Sequence, residues 1–295
     1  MADAARLAEE LGFANVSVSD HIICPVGPEA AGVTPVWHDW SVLSTYLALK
    51  TTRIRILACL VVPYRPVLPT AKQIATIDVV SGGRFTLAAA IGWLRQEFEL
   101  LGVPREQRGE ITDEYLRAMK VLWTEDEPTF AGRHVSFSNV VFEPKCLQTP
   151  HVPIWVAGGT APGPQRRLLE LGDGWMPMGG DLDKELRATI VRIKEGLSAR
   201  GRDPDSATFR YTIGIGRAEP ALASISQSIS VPDPSTIGLD GSAGEVAEAV
   251  ARYEEAGFNE LAINFSGQSA GEVTEQLGWF GSEVMPLLDS STAKA

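Results

Sequence analysis

The sequence predicts an α/β fold of parallel βα units, either a doubly wound sheet or a (β/α)8 barrel. Three observations lead there. Short aliphatic and β-branched runs alternate with helical stretches along the whole chain. Residues 54–62 are almost continuously apolar, as in a parallel strand covered on both faces. The 295 residues suit one large α/β unit, and no repeat or low-complexity segment marks off a second domain, so 1–295 reads as a single domain.

Each element has its own local reason. Residues 4–11 are rich in Ala, Leu, Glu and Arg, with Leu7 and Leu11 one turn apart, and Gly12 follows as a helix stop. Residues 16–19 read as a short strand that ends at Asp20 and His21. A loop rich in Gly and Pro spans 25–35, and Asp39 caps a helix over 40–49. The strand 54–62 stops at Pro63 and leads into a helix over 69–79, which Gly82 and Gly83 break. A strand over 84–91 ends at Gly92, and helices follow at 95–101 and 112–123. Residues 125–152 interrupt the rhythm with Pro128, Gly132, Pro144 and Pro150, and read as a surface β-hairpin excursion. The alternation resumes with a strand at 154–157, a helix at 164–171, a strand at 174–178, a helix at 184–200 and a strand at 208–215. An irregular Ser- and Pro-rich excursion at 217–241 precedes a helix at 242–256, a strand at 260–265 and a helix at 271–288. That makes seven strands in a chain that opens on a helix. A (β/α)8 barrel begins with a strand, so on the barrel reading the first β-strand is missing from this chain. The strands 16–19 and 260–265 would then lack a shared neighbour.

Composition narrows the function. Lys and Arg number 26 against 37 Asp and Glu, a net charge of −11. That balance argues against non-specific nucleic-acid binding and against anionic membrane surfaces. Cys24, Cys59 and Cys146 lie far apart with no CxxC spacing, which argues against a zinc site or a disulfide framework and suits a reducing compartment. There is no apolar run of about 18 residues and no signal-peptide pattern at the start, so the expected location is cytoplasmic and the expected partner is a small-molecule substrate.

Catalytic groups of βα barrels sit at the C-terminal ends of the strands. His21 stands at such an end, before a long loop, and histidine titrates near neutral pH. It serves there either as a proton-transfer group or as a structural histidine bonded to a backbone carbonyl. Gly158, Gly159 and Thr160 lie between a strand and a helix, where backbone N–H groups can cradle a phosphate; the plain alternative is an ordinary glycine turn. Trp93, after Gly92, either offers an aromatic face to a ring system or packs in the core. Glu97, one turn beyond Trp93, either reaches the pocket rim or pairs with Arg95 or Arg105. Arg65, Lys72, Arg166 and Arg167 fall near predicted active-face loops and can form a basic exit for an anionic tail. Asp173, Gly174 and Trp175 precede a strand and belong to the opposite, stability face.

Six motifs occur in a fixed order: Ser19-Asp-His21, Val61-Val-Pro-Tyr-Arg65, Ser81-Gly-Gly-Arg84, Ile91-Gly-Trp-Leu94, Pro153-Ile-Trp-Val156 with Gly158-Gly159, and Leu171-Gly-Asp-Gly-Trp175. The ordered set resembles the bacterial luciferase-like monooxygenase superfamily over essentially the whole chain. The stretch from Gly92 through Arg108, then Trp123 to Pro128 and Gly132 to Phe137, looks closest to its F420-dependent oxidoreductase branch. The resemblance implies a TIM barrel of luciferase-like type, a homodimer, and a cofactor at the C-terminal face of the strands. His21 matches the active-site histidine, with Asp20 beside it at the cofactor. Ala58-Cys59 matches a non-prolyl cis peptide behind the cofactor ring. Gly92-Trp93 matches the turn at the ring, and Gly158-Gly159-Thr160 the phosphate and side-chain region. Two departures stand out. The strand that opens family chains is absent, and Trp93 replaces the catalytic Glu of the sugar-phosphate dehydrogenases, which disfavours a sugar phosphate.

The leading expectation is an oxidoreductase that moves a hydride between coenzyme F420 and a small organic substrate, with His21 handling the proton. The alternatives are an FMN-dependent luciferase-like monooxygenase, a non-catalytic flavin-binding protein or fragment, and a phosphate-handling isomerase or aldolase. The last ranks lowest because no predicted strand ends in the Lys that such chemistry often uses.

Overall fold

A computed structural model describes residues 1–30, 34–215, 241–265 and 269–292. The excursion expected at 217–241 lies outside them, apart from Gly241. The main sheet has seven strands, all paired in parallel: β1 (Asn15–Ser19), β2 (Arg55–Val61), β3 (Phe85–Ala90), β6 (Ile154–Ala157), β7 (Gly174–Met176), β8 (Thr208–Ile215) and β9 (Glu260–Phe265). The two remaining strands, β4 (Phe130–Ala131) and β5 (Ser136–Phe137), form the expected antiparallel hairpin inside 125–152. Helices α1 (Ala2–Glu10), α2 (Trp40–Lys50), α3 (Val67–Ser81), α4 (Arg95–Leu100), α5 (Arg108–Thr124), α6 (Pro162–Leu171), α7 (Arg187–Ser198), α8 (Ala243–Glu255) and α9 (Ala270–Trp279) surround the sheet, and a last helix covers Met285–Thr292.

Strand parity divides the core into two layers. Along β2, Ile56, Ala58 and Leu60 face the helices, while Leu57 and Cys59 face the inside of the curled sheet. Ala88, Ala90, Trp155, Ala157 and Met176 share that inner side. Across the sheet, Trp175, Phe209, Tyr211 and Ile213 pack outward against α7 and α8.

The sheet curls far enough for its two ends to meet through side chains. Asn15 Nδ2 on β1 donates to Glu260 Oε1 on β9 at 2.9 Å, and Arg210 Nη2 on β8 donates to Ser17 Oγ on β1 at 2.6 Å. Among the described residues β1 and β9 share no backbone ladder, so the barrel has an open seam there.

Local signals position these pieces. Asp39 Oδ1 accepts the N–H groups of Ser41 and Val42, which starts α2. Ser242 and Glu245 form a capping box at the start of α8. The helix expected over 184–200 instead opens on a π-turn, Leu182–Leu186, which Asp181 caps by accepting from Asp183 and Lys184 N–H. Asp173 does lie on the stability face. Its carboxylate accepts the Ile154 N–H at 3.0 Å and pins the start of β6.

Candidate active site

β1 delivers Asp20 and His21 to the C-terminal end of the sheet. Asp20 is buried, and both its oxygens are taken by the Arg65 guanidinium, with Nη2 at 2.7 Å from Oδ1. Burial pushes the Asp20 carboxyl up from its ordinary value, against the pull of Arg65. Asp20 is therefore occupied as a structural partner, which leaves it less free to bind a cofactor than the sequence suggested.

His21 has a different partner from any the sequence named. Its Nδ1 lies 2.8 Å from Glu97 Oε2. The other Glu97 oxygen accepts the N–H groups of Ile22 at 2.7 Å and Ile23 at 3.2 Å. Glu97 has no exposed surface. Burial alone would raise its carboxyl, but the His21 ring and the two backbone N–H groups bring it below its ordinary value. Neither Arg95 nor Arg105 forms an ion pair with Glu97. No spacing in the sequence singles out this pairing, since His21 and Glu97 are 76 residues apart.

Two indoles flank the His21 ring. Trp37 lies 4.8 Å away between ring centroids, and Trp93 lies 6.3 Å away and edge-on. Trp93 packs with Leu94, Cys24, Ala30 and Trp37, so its two expected roles merge into one wall of the mouth. Trp37 and the buried Tyr64 beside Glu97 were not anticipated.

Gly92 shapes the turn. Its φ is +78°, and a Cβ there would come within 2.6 Å of Val61 Cγ1 and 2.8 Å of Phe98 Cζ. The glycine lets α4 fold back so that Glu97 meets His21.

The upper inside of the sheet is lined by small side chains. Cys59, Ala88, Ala90 and Ala157 form one wall, and the exposed Ser17, Ser19, Thr212 and Asn264 flank the seam. Burial pushes the Cys59 thiol up to about 12, so it is a neutral wall and not a nucleophile.

Three expectations need correction. The cis peptides among the described residues are Glu143-Pro144 and Thr149-Pro150, so Ala58-Cys59 is trans. The reason is visible in the ladder: Ala58 and Cys59 sit in unbroken register with Val18 and Ser19 on one side and Leu87 and Ala88 on the other. Ala58 also points to the helix layer, away from any ring. Second, the cradle at Gly158-Gly159-Thr160 is smaller than expected. The Gly158 N–H already donates to Met176 O at 3.1 Å, and Pro162 and Pro164 remove two donors from the first turn of α6. Gly158 is there for packing, since a Cβ would meet Pro164 Cγ at 2.7 Å. The Gly159 and Thr160 N–H groups remain as donors, with Glu185 near the Thr160 hydroxyl. Third, the basic exit does not form. Arg65 is held by Asp20, Arg166 and Arg167 by Asp113, and Lys72 by the Glu143 carbonyl.

The sequence profile of the luciferase-like monooxygenase family matches residues 1–221. The chain belongs to this family. Its members are oxidoreductases, and the chain is an enzyme of that class. An FMNH2-dependent dimethylsulfone monooxygenase of Pseudomonas putida is 29% identical over 255 residues, which cover 85% of this chain and 67% of that relative. An F420-dependent glucose-6-phosphate dehydrogenase of Kineococcus radiotolerans is 27% identical over 330 residues, covering 98% of this chain and 92% of the relative. The fold is similar to the crystal structure of the monooxygenase RslO1 from Streptomyces bottropensis, with a TM-score of 0.81 at 22% identity, covering 97% of this chain and 92% of that one. The luciferase-like family therefore joins F420-dependent and FMNH2-dependent relatives of this chain on one barrel. No described helix is long and apolar enough to cross a membrane.

Proposed function

We propose that the chain is an F420-dependent oxidoreductase that moves a hydride between the deazaflavin ring and a small organic substrate. One observation carries this reading: His21 is held by Glu97 at the end of β1, between the indoles of Trp37 and Trp93. A hydride transfer to or from a carbon bearing oxygen needs a proton to move at that oxygen, and His21 is the mouth residue suited to exchange it. The resemblance to an F420-dependent relative over 98% of this chain supports the cofactor assignment.

When bound, F420 supplies the ring carbon that carries the hydride; the chain supplies position, polarity and the proton. On this reading the partly buried Cys59 and Ala90 on the inner side of the sheet would meet the ring face. The turn at Gly92-Trp93 would border its edge, and the Gly159 and Thr160 N–H groups would be the donors for its phosphate. With Arg65, Lys72, Arg166 and Arg167 all engaged, the anionic tail gains little from this protein. F420 affinity is accordingly expected to change little with salt.

A second reading, an FMNH2-dependent monooxygenase, is favoured by the 29% identity with the dimethylsulfone enzyme. Side-by-side titration of F420 and FMN at low and high salt separates the two. Tighter F420 binding under both conditions supports our reading. Tighter FMN binding, with oxygen consumption supported by reduced FMN, replaces it. With the cofactor settled, His21→Ala should lose about 10²–10⁴-fold in rate and keep its cofactor affinity. Unchanged turnover would remove His21 from the chemistry.

A further inference from the structure

We propose that Glu97 is a positioning residue that locks His21 as the Nδ1–H tautomer and presents the Nε2 lone pair to the mouth. The inference rests on the reading that His21 exchanges a proton with substrate, and it names the atom that does so.

An ionised carboxylate can only accept hydrogen bonds. Glu97 is held ionised by its contacts, and Oε2 lies 2.8 Å from His21 Nδ1. Nδ1 must therefore carry the hydrogen. In the neutral ring the other nitrogen, Nε2, then holds the lone pair. Among the described residues Nε2 has no protein partner, and the His21 side chain keeps 11% of its surface exposed, between Trp37 and Trp93. Of the other titratable groups at this corner, Asp20 is bound on both oxygens by Arg65, and the buried Tyr64 hydroxyl faces the Glu97 carboxylate rather than Nε2.

The second Glu97 oxygen does separate work. By accepting from Ile22 and Ile23 N–H it fastens the chain immediately after His21, so the ring and its backbone are held by one carboxylate. Ring orientation and tautomer are thus set together, as in other sites where a carboxylate orients a histidine. A substrate hydroxyl that approaches Nε2 can break its O–H bond and pass the proton to that lone pair. The imidazolium that forms is stabilised by the adjacent Glu97 charge, and the reverse step returns the proton to the oxygen.

Ring nitrogen-15 NMR on the full, cofactor-free chain tests this. The His21 signals are assigned among the four histidines by comparison with His21→Gln. At a pH where the ring is neutral, the parent should show a protonated Nδ1 and an unprotonated Nε2. Glu97→Gln keeps an oxygen for the Ile22 and Ile23 N–H groups but turns an amide donor toward Nδ1. The ring should therefore switch to predominantly Nε2–H, while the two backbone amide signals stay close to their parent positions. An Nε2–H ring in the parent overturns the proposal without any Glu97 variant. A Gln variant that folds and keeps the Nδ1–H ring overturns it as well. Because no cofactor is present, failure here is distinct from failure of the F420 assignment, which the titrations decide.

Discussion

At the scale of single residues, the active corner depends on one glycine as much as on its histidine. Gly92 combines a left-handed backbone with the absence of a Cβ that Val61 and Phe98 would obstruct. Gly92→Ala should cost about 2–4 kcal/mol, from left-handed strain and overpacking together. The push on Phe98 also falls on the neighbour of Glu97, so the His21–Glu97 contact should loosen. Urea unfolding of the variant checks this, and a midpoint equal to the parent's would show that the turn relaxes freely. His21 itself was legible in the sequence, because a histidine at a predicted strand end is placed by topology. Its partner was not, because Glu97 faces Arg95 and Arg105 as readily as His21 until the tilt of α4 is known. Ala58 failed for a related reason: a motif match fixes neither peptide geometry nor which side of the sheet a residue faces.

At the scale of elements, carboxylates clamp loops by accepting several backbone N–H groups at once. Glu114 on α5 accepts from Arg133 at 3.0 Å, His134 and Val135, and so fixes the β4–β5 hairpin against the helix layer. Asp78 on α3 accepts from Leu147 and Gln148 further along the same excursion, and Glu9 on α1 accepts from Thr52, Arg53 and Ile54. The hairpin was legible from its prolines and alternation, but its anchor was not, since Glu114 and the turn are separated by most of α5. Burial alone would raise the Glu114 carboxyl, yet the three N–H groups bring it below its ordinary value of 4.5. A depressed folded value means stability that is present above the unfolded value and lost as the pH falls through the folded one. Glu114→Gln should therefore cost about 1–2 kcal/mol at neutral pH, because a charged acceptor becomes a neutral one. The gap from the parent should narrow below pH 4.5. Urea midpoints of both proteins across this range check the sign; a gap that widens in acid would show that the charge is not what holds the hairpin.

At the scale of the whole molecule, the order of strands was legible because each βα unit announces itself, and a parallel sheet with helices outside follows from that rhythm. How the two ends of the sheet meet was not legible. Arg210 and Glu260 lie fifty residues apart in sequence, with the segment 216–240 and α8 between them, yet they pair across β8 and β9 at 3.1 Å. From that pair, Arg210 reaches Ser17 and Glu260 reaches Asn15, so one ion pair spans the open seam from β9 and β8 to β1. Burial pulls the Arg210 guanidinium below its ordinary value and pushes the Glu260 carboxyl above its own, so both charges bear a desolvation cost. Removing one charge leaves the other uncompensated and also frees β1. Arg210→Met alone should then cost about 3–5 kcal/mol, and Glu260→Leu alone somewhat less because Glu260 is partly exposed. The double variant should recover much of that loss in stability, since an apolar pair of similar volume replaces a costly charged one. It should not recover the tie to β1, because neither Asn15 nor Ser17 then has its partner. Hydrogen exchange at the amides of β1, measured alongside urea unfolding, separates the two effects. Fast exchange in β1 with near-parent global stability is the expected signature of a seam held by side chains. Parent-like protection of β1 in the double variant would mean that packing of α1 and α9 alone keeps the barrel curled.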